Sequence, residues 1–208
     1  MSEIPYEVVA RRAKIELRKR LRGLRNTHPE GVIAARSAKI RERLLALDVV
    51  KQAKRVALFW PIVARKEVDL RELDRTLREA GTDVFYPSIA PAEETPEDQP
   101  PRMTFRRAEP RVLEERGRGF DEPAWSADEA TALDVVIVPA LAADARGHRL
   151  GYGAGYYDRT LPKFAPPAKT VIVAFDFQLL AEIPITEGDV ACDWIVTDAR
   201  TLSSAAAP

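Results

Sequence analysis

Apolar residues recur every three or four positions in three separate stretches of the chain. This spacing is typical of helices that bury one face. The stretches cover residues 9–24, 33–47 and 70–80, and the last ends at Gly81, a residue that commonly stops helices. We therefore predict three amphipathic helices. The polar side of the first consists almost entirely of lysine and arginine.

A second pattern consists of short, continuously apolar runs that are rich in β-branched residues. Such runs suit strands that are covered on both faces. Because they alternate with the helices, they predict an α/β fold of three layers, with helices on both sides of a mostly parallel or mixed central sheet. Residues 102–107 alternate between apolar and polar and are predicted to form an edge strand. The apolar runs are 55–60, 83–87, 134–140, 170–176 and 193–198.

The chain has 208 residues, a length that suits one domain with a sizeable core. We assign residues 1–200 to that single domain. Residues 90–101 carry prolines and acids without periodicity and are predicted to be a surface loop. Residues 201–208 have little to bury and are predicted to be a flexible tail.

The charge of the chain is balanced, with 32 basic and 32 acidic residues, so no overall field attracts nucleic acid or membrane. Cys192 is the only cysteine, which excludes an internal disulfide and multi-cysteine zinc sites. No apolar run approaches the roughly 20 residues of a membrane-spanning helix. Glutamates in the arginine-rich N-terminal segment argue against a transit peptide, and we expect a cytoplasmic protein.

The segment RLGYGAGYYDRTL, residues 149–161, contains the densest cluster of candidate chemistry. It lies between the predicted strand 134–140 and a short helical pattern, a position where open α/β sheets bind ligands. Its three glycines, Gly151, Gly153 and Gly155, would let backbone amides approach an anion without hindrance from a Cβ atom. This segment, called the glycine loop below, is therefore predicted to bind phosphate.

The glycine loop matches neither common nucleotide-binding pattern. A Walker loop needs Lys and Ser or Thr after its last glycine, and Tyr156 replaces the third glycine of the dinucleotide fingerprint. A glycine-rich turn without a ligand is therefore an open alternative on spacing alone. Asp158 falls in the first turn of the following helix, where it could either stabilise the helix dipole or hold the magnesium ion of a nucleotide.

A longer segment, PALAADARGHRLGYGAGYYDRTL, closely resembles the signature of the 5-formyltetrahydrofolate cyclo-ligase family, also called methenyltetrahydrofolate synthetases. The resemblance extends from Lys14 to about Thr197. One departure is Ala143, where members usually carry an aromatic residue. The other segments that carry the resemblance, in order, are KIELR at 14–18, KEVDL at 66–70, GFDEP at 119–123 and PITEGDVACDWIVTD at 184–198.

The resemblance implies an enzyme that converts 5-formyltetrahydrofolate and ATP into 5,10-methenyltetrahydrofolate, ADP and phosphate, with Mg²⁺ as cofactor. The implied mechanism phosphorylates the formyl oxygen, after which the nitrogen at position 10 attacks the activated carbon. The expected partners are the reduced folate and ATP, without nucleic acid or membrane. We expect a monomer or a weak dimer.

The resemblance also implies the roles of particular residues. Lys14 and Arg149 would stabilise charge on the transferred phosphoryl group, and Asp158 and Asp189 would bind the metal. The implied folate-binding residues are Ile62, Glu67, Tyr152, Gly153, Ala154, Gly155 and Tyr156. The implied ATP-binding residues are Lys14, Ile15, Glu16, Leu17, Arg18, Arg149, Leu150, Gly151, Tyr152, Gly153, Ala154, Gly155, Tyr156 and Tyr157.

This assignment requires Gly153, Lys14 and Glu67 to line one open cavity. We also expect Tyr152 or Trp125 to pack on the pterin ring. Two other functions stay open on the residues alone. The glycine loop could hold a sugar phosphate in an isomerase without ATP, or the eight basic residues between positions 11 and 25 could bind RNA through phosphate contacts.

Overall fold

The computed structural model describes residues 5–206. The helices are α1 Tyr6–Thr27, α2 Glu30–Ala46, α3 Asp48–Lys51, α4 Arg71–Glu79 and α5 Tyr156–Thr160. The strands are β1 Arg55–Ala57, β2 Asp83–Ile89, β3 Met103–Arg107, β4 Glu114–Glu115, β5 Asp121–Glu122, β6 Val135–Pro139, β7 Ala142–Asp144, β8 Arg149–Leu150, β9 Lys169–Val173, β10 Leu179–Leu180, β11 Trp194–Val196 and β12 Thr201–Ser203.

The central sheet has seven strands in the order β12-β11-β9-β6-β1-β2-β3. The five inner strands are parallel, and β12 and β3 pair antiparallel at the two edges. The predicted α/β class with a mixed central sheet is therefore confirmed, as is the predicted edge strand at β3. The chain moves from β1 outward through β2 and then returns to β6 on the other side of β1. This reversal is a topological switch point.

Hydrophobic clusters lie on both faces of this sheet because successive strand residues point to opposite sides. Val135 and Ile137 join the cluster that α2 and α4 cover, whereas Val136 and Val138 join the opposite cluster. The opposite face is covered by α5 and the turn after it, including Leu161. The two layers of helices are thus unequal in size.

The longest helix, α1, packs mainly on a second, smaller sheet. This sheet has the order β10-β7-β8. Leu17 and Leu21 of α1 contact Ala142 of β7 and Leu150 of β8. Because β8 begins the glycine loop, this packing fixes the position of α1 relative to that loop.

The prediction of a flexible tail from residue 201 is wrong for the residues that the structure describes. Thr201–Ser203 form β12, which pairs with β11 across three residue pairs, and a 3₁₀ turn follows. The sequence pattern missed this strand because an edge strand gains its main stabilisation from backbone hydrogen bonds and needs few apolar side chains. The remainder of the predicted tail, residues 207–208, lies outside the described part of the chain.

Candidate active site

A cleft of about 700 Å³ opens at the carboxyl ends of the central strands. Phe59 and Trp60, which follow β1, and Pro139, at the end of β6, lie in its wall. The cleft therefore occupies the switch point between β1 and β6, where open α/β sheets bind their ligands. Helix α1 and the glycine loop contribute the polar side of the same cleft.

The cleft gathers most of the residues implied by the family resemblance. Gly153 is exposed and lines one cavity together with Lys14 and Glu67, as the assignment requires. Glu16 and Leu17 do not line the cleft, since Glu16 faces solvent and Leu17 packs on the smaller sheet. The others that line it are Ile15, Arg18, Ile62, Arg149, Leu150, Gly151, Tyr152, Ala154, Gly155, Tyr156, Tyr157, Asp158 and Asp189.

The glycine loop needs glycine at two of its three glycine positions. Gly153 and Gly155 have φ values of 113° and 67°, a region that L-residues with a Cβ rarely adopt. Arg18 Nε donates a hydrogen bond of 2.9 Å to the carbonyl oxygen of Gly151. The arginine on α1 thus holds the loop against the helix while both line the cleft.

Lys14 is buried in the cleft wall, with only 6% of its surface exposed. Its Nζ atom donates to Thr186 Oγ1 at 2.7 Å and to Asp189 Oδ2. Burial raises the pKa of Asp189, but the hydrogen bonds from Lys14 and from the Thr186 amide outweigh it and lower the pKa below its usual value. The lysine and this carboxylate therefore form an ion pair at the cleft wall.

Arg149 forms the second ion pair of the cleft. Its Nη2 atom donates to Asp158 Oδ1 at 2.8 Å, and its Nη1 atom donates to the Val190 carbonyl at 2.7 Å. The Val190 amide donates to the same Asp158 oxygen at 3.1 Å. These bonds tie β8, α5 and the segment before β11 together and fix the orientation of the guanidinium.

Asp158 and Asp189, the carboxylates implied to bind metal, both line the cleft. Within residues 5–206, no group of three or more His, Cys, Asp or Glu side chains is placed to hold a metal ion. Magnesium at a nucleotide, however, needs only one or two carboxylates besides phosphate oxygens and water. The hydrogen bonds described above use Asp158 Oδ1 and Asp189 Oδ2, so each carboxylate keeps its other oxygen for such a ligand.

Glu67 is anchored in the cleft wall, with 8% of its surface exposed. One carboxylate oxygen accepts a 2.9 Å hydrogen bond from the Ile62 amide, and the other accepts one from the Tyr152 hydroxyl. Burial, reinforced by the negative charge of Glu67, raises the pKa of Tyr152, so the phenol stays protonated at neutral pH. Glu67 and Tyr152 thus form a fixed polar pair in the cleft wall.

Comparisons with known proteins agree with this geometry. Residues 10–198 match the 5-formyltetrahydrofolate cyclo-ligase family. The chain belongs to this family. It is 35% identical to the 5-formyltetrahydrofolate cyclo-ligase of Mycolicibacterium smegmatis, covering 91% of this chain and 95% of the relative, and 30% identical to that of Saccharomyces cerevisiae, covering 86% and 92%. The predicted family and enzyme class are therefore confirmed.

A solved structure supports the same assignment. The NMR structure of Aquifex aeolicus 5,10-methenyltetrahydrofolate synthetase superposes with a TM-score of 0.77 at 28% identity, covering 94% of both chains. The cyclo-ligase fold assigned to residues 5–206 is thus found in a second synthetase. No helix in this range combines the length and the apolar composition that crossing a membrane requires.

Several cleft residues of this cyclo-ligase are not among those predicted from the sequence. The sequence predicts Phe59 and Trp60 in the first central strand, but β1 ends at Ala57 and both aromatic residues line the cleft. Their position just after a strand at the switch point is the signal that could have identified them. The remaining apolar wall consists of Pro87, Ile89, Met103 and Phe120.

The hydroxyl of Tyr157 is a further polar feature of the wall. Burial raises its pKa, so it stays protonated, and within residues 5–206 it has no hydrogen-bond partner. Buried hydroxyl groups are usually hydrogen-bonded. The Tyr157 hydroxyl is an exception to this rule in the described part of the chain.

The hypothesis that Trp125 packs on a pterin ring is wrong, because Trp125 does not line the cleft. Its ring lies under two guanidinium groups, with the Cζ atoms of Arg106 and Arg102 at 4.2 and 5.1 Å from the ring centroid.

The surface loop predicted at residues 90–101 does not line the cleft either. The β4–β5 hairpin contributes instead, through residues that include Arg118 and Asp121.

Proposed function

We propose that this enzyme converts 5-formyltetrahydrofolate to 5,10-methenyltetrahydrofolate with consumption of ATP in the presence of Mg²⁺. The observation that carries the proposal is one cleft that joins a glycine loop, the three cations Lys14, Arg18 and Arg149, and an anchored carboxylate. The loop and the cations suit the phosphates of ATP. The carboxylate of Glu67 can accept hydrogen bonds from the amide-like donors of a reduced pterin.

The chemical obstacle is the formyl oxygen, which leaves poorly as hydroxide. In the proposed sequence, the γ-phosphoryl group of ATP moves to this oxygen and ADP forms. The folate nitrogen at position 10 then attacks the formyl carbon, the bond from carbon to the phosphorylated oxygen breaks, and that oxygen departs in inorganic phosphate. The proton that the nitrogen at position 10 loses goes to the departing phosphate, so the products are the methenyl cation, ADP and hydrogen phosphate, and charge balances.

No side chain needs to form a covalent bond in this sequence, so the contribution of the protein is alignment and charge stabilisation. We assign the phosphate contacts to Lys14, Arg18, Arg149 and the amides of the glycine loop. Ile62, Glu67 and Tyr152 would hold and orient the folate. Asp158 and Asp189 would hold Mg²⁺, which when bound neutralises phosphate charge.

The placement of the basic residues on α1 argues against the RNA-binding alternative. Lys14 and Arg18 line the cleft, and Arg25 is buried, so these three do not form part of an exposed basic face. The sugar-phosphate alternative leaves Glu67 and the apolar wall without a ligand. Neither alternative accounts for the whole cleft.

The decisive experiment follows the near-ultraviolet absorption of the methenyl product. The purified protein is mixed with 5-formyltetrahydrofolate, ATP and Mg²⁺, and the absorbance and the released phosphate are recorded together. We expect one phosphate per methenyl group and no reaction without ATP. A product that forms equally fast without ATP, or ATP binding without any product, would refute the proposed reaction.

A further inference from the structure

A second cavity, of about 400 Å³, adjoins the cleft. Tyr152 and Arg65 line both cavities. The other lining residues are Arg22, Arg25, Asn26 and Ala64. The lining thus contains three guanidinium groups and no carboxylate. We call it the arginine pocket.

The three arginines of the pocket converge on a single aromatic ring. The Cζ atoms of Arg22, Arg25 and Arg65 lie 5.4, 5.7 and 5.3 Å from the centroid of Tyr152. Each contact is of the cation–π type, but three like charges around one ring repel each other. None of the three pairs with a carboxylate of residues 5–206. This excess of positive charge favours an anion in the pocket.

Arg25 gives the independent indication of a ligand. Only 3% of its surface is exposed, and its Nη2 atom donates to the Tyr152 hydroxyl at 2.7 Å. Its buried Nε atom has no hydrogen-bond partner in the described part of the chain. A guanidinium has five N–H donors, and buried donors of charged groups are normally satisfied. The unsatisfied donor belongs to a residue that lines a cavity whose other charged groups are also cationic.

We propose that the arginine pocket binds an anionic group, a carboxylate or a phosphate, next to the folate-binding end of the cleft. Guanidinium groups bind both kinds of anion through paired N–H donors. Lys14 and Arg22 are eight residues apart on α1, or about 12 Å along the helix axis. The pocket is therefore set apart along α1 from the phosphate contact assigned to Lys14, and Arg18 lies between the two. Tyr152 lines both the pocket and the cleft. Its hydroxyl accepts a hydrogen bond from Arg25 and donates one to Glu67.

Two sources could supply the anion. One source is the glutamate carboxylates at the end of the folate tail, and this possibility rests on the proposed function. The other is a free anion such as inorganic phosphate. The variant Arg22→Gln/Arg65→Gln removes two charges from exposed side chains and keeps buried Arg25. The control Arg12→Gln/Arg20→Gln removes two charges from exposed positions of α1 outside the pocket.

The first measurement determines the Michaelis constants for two substrates, the natural folate with its glutamate tail and the analogue without glutamate, 5-formyltetrahydropteroate. If the tail is the ligand, the pocket variant raises the KM for the glutamate-bearing substrate by about tenfold or more and leaves that for the analogue unchanged. The control variant changes neither. A wild-type enzyme without turnover would refute the proposed function, and the second measurement would still test the pocket.

The second measurement titrates the protein with inorganic phosphate by calorimetry, without folate or ATP. If a free anion is the ligand, wild type and the control bind one more phosphate than the pocket variant, which keeps only the phosphate contacts assigned to the glycine loop, Lys14, Arg18 and Arg149. Circular dichroism first establishes that both variants are folded. The proposal is overturned if the pocket variant matches the control in both the KM ratio and phosphate binding.

Discussion

Lys14 and Asp189 form an ion pair in the cleft wall although 175 positions separate them in the chain. The pair connects the first helix to the segment before the last two strands. Thr186 completes it, since its hydroxyl accepts from Lys14 and its amide donates to Asp189. Lys14, a proposed phosphate contact, thus also connects α1 to the segment that carries Thr186 and Asp189. Its removal should therefore affect both activity and stability.

Lys14→Ala should lower kcat/KM for ATP by about 100-fold to 1000-fold, the usual loss for one charge-stabilising donor. It should also lower the free energy of unfolding by about 1–3 kcal/mol, because Asp189 is left without its cation. Steady-state kinetics and urea denaturation measure the two effects. Circular dichroism at low temperature checks that the variant is folded.

The double variant Lys14→Ala/Asp189→Asn separates the two roles of Lys14. The new asparagine side chain would carry no charge that needs a partner, so stability should return most of the way to wild type. Activity should stay low because the phosphate contact is still missing and because Asp189, a proposed magnesium ligand, is replaced as well. A double variant that regains activity would mean that Lys14 only neutralises Asp189.

The lowered pKa of Asp189 predicts how stability depends on pH. The folded-state pKa lies below the unfolded value of about 3.8, so ionised Asp189 stabilises the fold above that value. This contribution is lost as pH falls through the folded-state pKa. The difference in unfolding free energy between wild type and Asp189→Asn should be constant above about pH 5 and should shrink below about pH 4. A difference that stays constant down to about pH 2.5 would contradict the assignment.

Local signals in the sequence were sufficient to predict the long helices and the central strands. The helix predicted at 70–80 is α4, Arg71–Glu79, and Gly81 follows it with a φ of 80°. Its apolar period and its stop residue are both local features. The edge character of β3 also followed from alternation within the short segment 102–107. These elements needed no knowledge of distant contacts.

The other features depend on contacts that a single sequence does not contain. Nothing in the pattern of α1 shows that its apolar side packs on a separate small sheet. The assignment of Phe59 and Trp60 failed because continuous apolarity is the same for a buried strand and for an apolar ligand wall. The partners of Lys14 and Arg149 became known only when the fold brought residues 186–190 to the cleft.

Gly147 is predicted to be the glycine that tolerates substitution least. Its φ is 84°, and a Cβ atom there would overlap the carbonyl oxygen of Cys192. Gly147→Ala should lower the free energy of unfolding by about 2–5 kcal/mol, the sum of a left-handed backbone and an overpacked contact. Urea denaturation measures the loss.

Gly23 is the matched control for this prediction. It lies within α1, and a Cβ atom there would meet no atom within 4 Å. Gly23→Ala should raise the free energy of unfolding by roughly 0.5–1 kcal/mol, because alanine restricts the unfolded chain. If both substitutions changed the free energy of unfolding equally, the turn at Gly147 would have to rearrange to accommodate the new side chain.

Lys66 combines an unfavourable backbone with a favourable side chain. Its φ of 50° is in the left-handed region, while its Nζ atom donates to the carbonyl oxygens of Asn26 and His28 at 2.8 and 2.7 Å. These bonds hold the loop that carries Ile62 and Glu67 against the end of α1. Lys66→Ala and Lys66→Gly both remove the bonds, so both should raise the KM for the folate several-fold.

The two Lys66 variants should differ in stability. Glycine relieves the left-handed strain of about 1–2 kcal/mol but costs about 0.5–1 kcal/mol of backbone entropy. Lys66→Gly should therefore be more stable than Lys66→Ala by about 0.5–1 kcal/mol, as measured by urea denaturation. The KM values of the two variants should nevertheless be similar. Both variants lack the hydrogen bonds of the Lys66 ammonium group, and these bonds hold Glu67 in position. If the glycine variant alone retained the wild-type KM, the backbone at position 66, and not its ammonium group, would position the loop.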